Sequence, residues 1–130
     1  MRLVTAAFLL TASAGPALAA CPGQNQSELD SCAGNAAVAA DAKLNATYQT
    51  ITGRLKANNA VRTKLVAAER AWIAFRDAEC AFAASGVEGG TIQPMIVAEC
   101  RAALTQQRQI QLAVYLNCQE GDTSCPVPRQ

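Results

Sequence analysis

The stretch AWIAFRDAEC, residues 71–80, gathers a tryptophan, a phenylalanine, an arginine, two acids and a cysteine into ten positions, around the chain's single tryptophan. A guanidinium such as that of Arg76 offers a planar fork of donors suited to carboxylates. Arg101 and Arg108, two turns apart on one helical face, extend that chemistry. The chemistry of catalysis is harder to assemble. The chain has no histidine, which removes the commonest general base and metal ligand, and with them triads, zinc hydrolases and haem ligation. Gly86, Gly89 and Gly90 lack a following Lys-Ser/Thr, so they read as turn residues and not as a phosphate cradle. Asn45 and Tyr48 have no acid or base arranged beside them by spacing, and Glu79 reads as an edge residue. The expectation is a protein that binds and does not catalyse, with no metal and no cofactor.

Positioning such residues depends on where the chain folds. Arg2, the uncharged run Leu3–Ala14, the Gly15-Pro16 break and the small residues of ALAA follow the pattern of a secretory signal peptide over residues 1–20. About a dozen apolar residues is too short to span a bilayer, and no later segment is apolar enough. LAAC, residues 18–21, also matches a bacterial lipobox, which would lipidate Cys21. Six cysteines (21, 32, 80, 100, 118 and 125) pair evenly only if Cys21 keeps its thiol, which favours soluble export, periplasmic or secreted, over a lipid anchor. Without Arg2, ten basic residues balance ten acidic ones, leaving no basic face for nucleic acid or anionic membrane.

Residues 21–130 form one small domain with three helical stretches, about 27–57, 60–84 and 91–117, followed by a loop over 118–130. In the first, Leu29, Ala33, Ala37, Ala40, Leu44, Tyr48, Ile51 and Leu55 recur at steps of three and four, behind a Ser27–Asp30 cap. Asn58-Asn59 ends it and caps the second. There Val61, Leu65, Ala68, Trp72, Phe75 and Phe82 read as the apolar stripe. The glycine-rich turn SGVEGGT, residues 85–91, leads to Thr91 as cap of the third, with Pro94 in its first turn. The expected fold is all-α: three antiparallel helices with short connections, stapled by disulfides.

A helical hairpin brings Cys80 and Cys100 to one end, whereas Cys118 is about 27 Å further along the third helix, at 1.5 Å per residue. The tail can return Cys125 to Cys118, and Cys32 is within reach of Cys21. The favoured pairing is therefore 21–32, 80–100 and 118–125, with a swap among the four cysteines at the shared end left open.

Several motifs in combination carry a resemblance. LNATY (44–48), AERAWIAFRDAEC (68–80), GGTIQPMIVAEC (89–100) and CRAALTQQRQIQL (100–112) together resemble the LprI-like lysozyme-inhibitor family, over about residues 21–117. The shared features are Leu44-Asn45 before Tyr48, Trp72 followed by Phe75-Arg76-Asp77, then Cys80, a Gly89-Gly90-Thr91 turn, and Cys100-Arg101 leading to Thr105 and Arg108. The resemblance implies an exported helical domain, with inhibition of animal-type lysozyme attributed to the family's namesake. That namesake is a lipoprotein, which gives LAAC some weight.

Trp72 and Phe75 are expected in the core, and Asp77 in an interhelical ion network with Arg101 or Arg108 beside Arg76 and Thr105. The sharper alternative makes Arg76, Arg101 and Arg108 ligands for a partner's carboxylates. Two disulfide-braced loops are candidate contact segments: residues 85–91, with Glu88, Gly89 and Gly90 at its tip, and residues 119–124. The expected partner is an animal-type lysozyme; the alternative is a cell-envelope interaction or structural module that binds another envelope protein.

Overall fold

The computed structural model describes residues 21–129, so the expected signal peptide lies outside the described residues. Three α-helices carry the fold: α1 (Gln26–Arg54), α2 (Asn59–Ala83) and α3 (Gln93–Val114), with 3₁₀ turns at Ser85–Val87 and Tyr115–Asn117. No strand occurs among the described residues. The fold is all-α, as expected.

The helix ends show which side chains satisfy the free backbone donors. α1 is capped by Asn25 and not by Ser27: the Glu28 N–H donates to Asn25 Oδ1 at 3.0 Å, and the Gln24 N–H donates to Glu28 Oε2 at 2.8 Å. The Asn25–Glu28 spacing allows this reciprocal box, while Asp30 instead accepts from Gln26 Nε2. At α2, Asn58 does cap, its Oδ1 accepting the Val61 N–H at 3.2 Å. Thr91 does not cap α3; Ile92 occupies that position with no side-chain acceptor, and Pro94 lies in the first turn, where a missing N–H costs nothing.

Cross-links between helices give their order. Cys80 bonds Cys100, Asp77 pairs with Arg101 and Glu69 with Arg108, so positions descend along α2 as they rise along α3. Between α1 and α3 both rise together: Gln26 meets Met95, Asp41 meets Thr105, Thr47 meets Gln109 and Arg54 meets the Leu116 carbonyl. α3 packs chiefly along α1 and more lightly on α2. The disulfides are 21–32, 80–100 and 118–125, with Cα–Cα separations of 5.7, 5.5 and 5.9 Å, which closes the swap left open above.

At the end where α1 leaves for α2, Leu44, Ile51, Leu55, Leu112 and Val127 form the buried core, flanked by Tyr48, Val61, Leu65, Trp72, Tyr115 and Leu116. Toward the other end the buried positions are small: Ala33, Ala40, Cys80, Ala84 and Ala102. The α1 stripe thus faces inward as its periodicity predicts.

The α2 stripe does not. Phe75 and Phe82 are 55% and 74% exposed and Ala68 is exposed, whereas Glu69 and Cys80 are buried. The inward line is Val61, Leu65, Glu69, Trp72, Arg76 and Cys80. The Cys80–Cys100 bond and the ion pairs of Glu69 and Arg76 fix the rotation of this helix, and Phe75, one residue or about 100° from Arg76, is turned outward. The tail also departs from expectation. The sequence suggests a plain loop over 118–130, yet Val127 is 4% exposed and belongs to the core. Cys118–Cys125 returns the chain, and Asp122 closes the turn by accepting the Ser124 N–H at 2.9 Å and the Ser124 hydroxyl at 2.5 Å. These two bonds hold the Asp122 carboxyl below its ordinary range.

Val127→Ala is expected to destabilise the oxidised domain by about 1–2 kcal/mol through the lost methyl groups and residual cavity. Urea unfolding followed by circular dichroism checks this; an unchanged midpoint contradicts a core role for the tail.

Candidate functional site

Arg76 stands where all three helices meet, its side chain only 12% exposed. Its guanidinium lies 5.2 Å from the Trp72 ring centroid, one turn earlier on α2. Nη1 donates to Asp41 Oδ1 of α1 at 3.0 Å and to Thr105 Oγ1 of α3 at 3.3 Å, while Nε donates to Asp77 Oδ1 at 3.0 Å. The Thr105 hydroxyl, buried at 1%, points back to Asp41 at 3.4 Å. Asp77 also receives Arg101 Nε at 3.3 Å. The cluster is two cations against two carboxylates with a shared hydroxyl, so its charges cancel locally. Arg76 has no free edge for an outside carboxylate: it binds the helices to one another.

One turn and more from it, Glu69 and Arg108 form a second pair, with side chains 11% and 17% exposed. Arg108 Nε donates at 2.9 Å to Glu69 Oε1, a second terminal N–H reaches the same oxygen, and Nη1 goes to Gln111 at 3.1 Å. Burial of Glu69 is thereby compensated. The expected partner of Asp77 resolves to Arg101, and Arg108 is held elsewhere.

A groove of about 500 Å³ opens between α1 and α3 beside the Arg76 cluster. Its apolar lining includes Val38, Pro94 and Val97; Asp41, Arg76 and Arg101 edge it, and Gln93 lies at its start. The 85–91 turn connects to this groove: the Gly89 N–H donates to Gln93 Oε1 at 2.8 Å, with Gly89 at a φ of 74°, a conformation that favours glycine. Glu88, Gly89 and Gly90 are exposed at the tip. Arg101 is the more accessible arginine of the cluster, 45% exposed, with its Nε toward Asp77 at 3.3 Å. Asn45 and Tyr48 line a separate, smaller groove between α1 and α2 with Ile73, and form no part of this one.

The structure therefore brings Arg76, Asp77, Thr105 and Arg101 together, joins the Gly89 turn to the same groove, and leaves Arg108, Asn45 and Tyr48 apart. Sequence reasoning missed Asp41, Glu69 and Gln93. Asp41 carries one signal, its place beside Ala40 on an otherwise clear apolar stripe; Glu69 is masked in the sequence because Ala68 completes the apolar period. Among the described residues no group of three His, Cys, Asp or Glu side chains could hold a metal. The arrangement can present donors and an apolar trough; its hydroxyl–carboxylate contact, Thr105 with Asp41, is buried and shared with Arg76.

The family profile described as "Lysozyme inhibitor LprI" matches residues 19–112. An uncharacterized protein of Rhizobium meliloti (strain 1021) is 32% identical over 108 residues, covering 75% of this chain and 78% of its own length. No solved structure matches.

Arg76→Ala is expected to cost about 2–3 kcal/mol, because Asp41, Asp77 and Thr105 lose their common donor. Arg76→Lys should recover only part of it, since a compact ammonium lacks the spread of the planar fork that reaches acceptors on three helices and lies against Trp72. Arg101→Ala, removing a half-exposed pair, should cost under about 1 kcal/mol. Chemical unfolding of the three variants checks the order; equal losses for Arg76→Ala and Arg101→Ala contradict it.

Proposed function

Because the chain belongs to the LprI lysozyme-inhibitor family, we propose that it is an exported protein that binds an animal-type lysozyme and blocks it without catalysing a reaction. The family match over residues 19–112 carries this reading, since it spans α1, α2 and nearly all of α3. The contact surface is the end of the bundle that joins the Glu88–Gly90 tip, Gln93, Arg101 and the α1–α3 groove.

Two physical features support that surface. The turn is anchored by Cys80–Cys100 and by the Gly89–Gln93 hydrogen bond, so little entropy is lost when it is held against a partner. Arg101 retains guanidinium donors for a carboxylate, and lysozyme's cleft presents two of them. The Cys21–Cys32 bond supports export with Cys21 unlipidated, because a sulfur in a disulfide cannot also carry a thioether-linked lipid. None of the described helices is long and apolar enough to cross a membrane.

The test is titration of the purified, oxidised domain into an animal-type lysozyme in a cell-wall lysis assay, with size-exclusion chromatography of the mixture. Stoichiometric loss of lysis with a co-eluting complex is expected. Arg101→Glu should weaken inhibition about tenfold or more while leaving the melting temperature nearly unchanged. Full lysis at large excess of the domain overturns the reading and leaves an envelope interaction module in its place.

A further inference from the structure

Phe75 and Phe82 are 55% and 74% exposed on α2, one heptad apart, and line none of the grooves described above. With Ala67, Ala68, Ala71 and Ala78 they form a largely apolar strip along the outer face of that helix, interrupted by the exposed Glu79 between the two rings. Buried pairing and the 80–100 disulfide explain why α2 turns its other side inward; they leave this strip without a partner. An aromatic side chain carries 150–250 Å² of surface. Two such rings in water are a large apolar feature for a domain of this size.

We propose that this face is a self-association surface, on which a second copy of the chain packs through an antiparallel, two-fold α2–α2 contact centred on Phe75. The argument is one of shape and charge. A two-fold axis at Phe75 sets Phe82 of each copy opposite Ala68 of the other, in a hole formed by Lys64, Ala67, Ala68 and Ala71. It sets the two Phe75 rings against each other at the axis, with Ala71, Ala74 and Ala78 of each copy around them. Large residues thus meet small ones at both ends of the strip, with an aromatic pair at its centre, a pattern that lets two helices interdigitate. The contact is isologous, so it closes at two copies.

The charges at the ends agree with the same register. Lys64 and Glu88 are exposed and neither has an ion-pair partner among the described residues. In the antiparallel pair, Lys64 of one copy lies opposite position 86 of the other, just past the C-terminal end of α2 and within reach of Glu88. That helix end has no basic residue in its own last turn. The second copy therefore supplies the cation that the carbonyl end of α2 lacks, and an opposite charge for Glu88. A parallel pairing would place Lys64 beside Lys64 and forfeit both.

The area sets the strength. The two rings and the flanking alanines offer roughly 400–500 Å² per copy, so the total falls below the roughly 1,200 Å² of a standard stable interface and in the range of weak, reversible association. The expected dissociation constant is about 10–100 μM. The strip is a different surface from the α1–α3 groove and shares only Glu88 with the contact surface proposed above.

Sedimentation equilibrium of the oxidised domain across about 5–500 μM tests it. The mass is expected to rise from one chain to two with concentration. Phe75→Asp and Phe82→Asp should each shift the midpoint upward at least about tenfold, while Ile110→Asp, on the exposed face of α3, leaves it in place. Since both phenylalanines are exposed, the variants should melt with the wild type; if either does not, Phe82→Ser gives the reading instead. A single-chain mass at every concentration overturns the proposal. So does a dimer that the phenylalanine variants leave intact, or a monomer whose lysozyme binding is lost with Phe75→Asp, which would assign the strip to the enzyme.

Discussion

A guanidinium withdrawn from water must find acceptors on every side, and the burial of Arg76 fixes much of the geometry of this bundle. Its three acceptors come from three helices: Asp41 on α1, Asp77 on α2 and Thr105 on α3. Each helix thus has one azimuth and one height at which the set is complete. Slipping α3 by one turn would remove Thr105 from Arg76, Arg101 from Asp77 and Arg108 from Glu69 together. Apolar contacts are more forgiving, because an alanine-rich face packs almost as well after a small rotation. The ionic layer supplies the selectivity that the small core does not.

The division of labour along the long axis follows from this. One end is filled by Leu44, Ile51, Leu55, Leu112 and Val127, where burial of branched side chains does the holding. The other end has alanines and two disulfides, where close approach and covalent closure replace volume. In the chain-entropy picture, loops as short as these contribute on the order of 3 kcal/mol each, a large share for a domain near a hundred residues. The apolar groove beside the Arg76 cluster belongs to this thinly filled end: with Gly34, Ala37 and Ala98 on its walls, α1 and α3 leave a trough between them.

Much of this was legible in the residues. The α1 stripe, the three helices, the reversal at Asn58 and the disulfide pairing follow from periodicity, capping chemistry and chain reach. The rotation of α2 did not, and the reason is physical. Ala68, Phe75 and Phe82 make a better hydrophobic period than Glu69, Arg76 and Cys80, yet the second set has specific partners on α3 and α1, and desolvated ions without partners would cost more than two phenylalanines left in water. Periodicity ranks residues by polarity; it does not see that a polar residue has an appointed neighbour on another helix. Val127 was hidden similarly, as one valine between prolines in a tail whose return depends on a disulfide. Of the groove, Arg76 and Arg101 could be read from the sequence, whereas Asp41 and Gln93 could not, being ordinary surface residues until α3 is laid along α1.

The placement of the disulfides also governs how the molecule breathes. One ties the segment before α1 to its first turns, one ties the end of α2 to the start of α3, and one closes the chain just past the end of α3. The reversal between Arg54 and Asn59 is the one helix junction among the described residues with no covalent tie, and α2 is the helix with the lighter packing. Opening fluctuations therefore start there, with the first turns of α2 peeling from the core while its far end stays bolted to α3. The amide hydrogens of residues 59–66 are therefore expected to exchange ahead of those of α1 and α3.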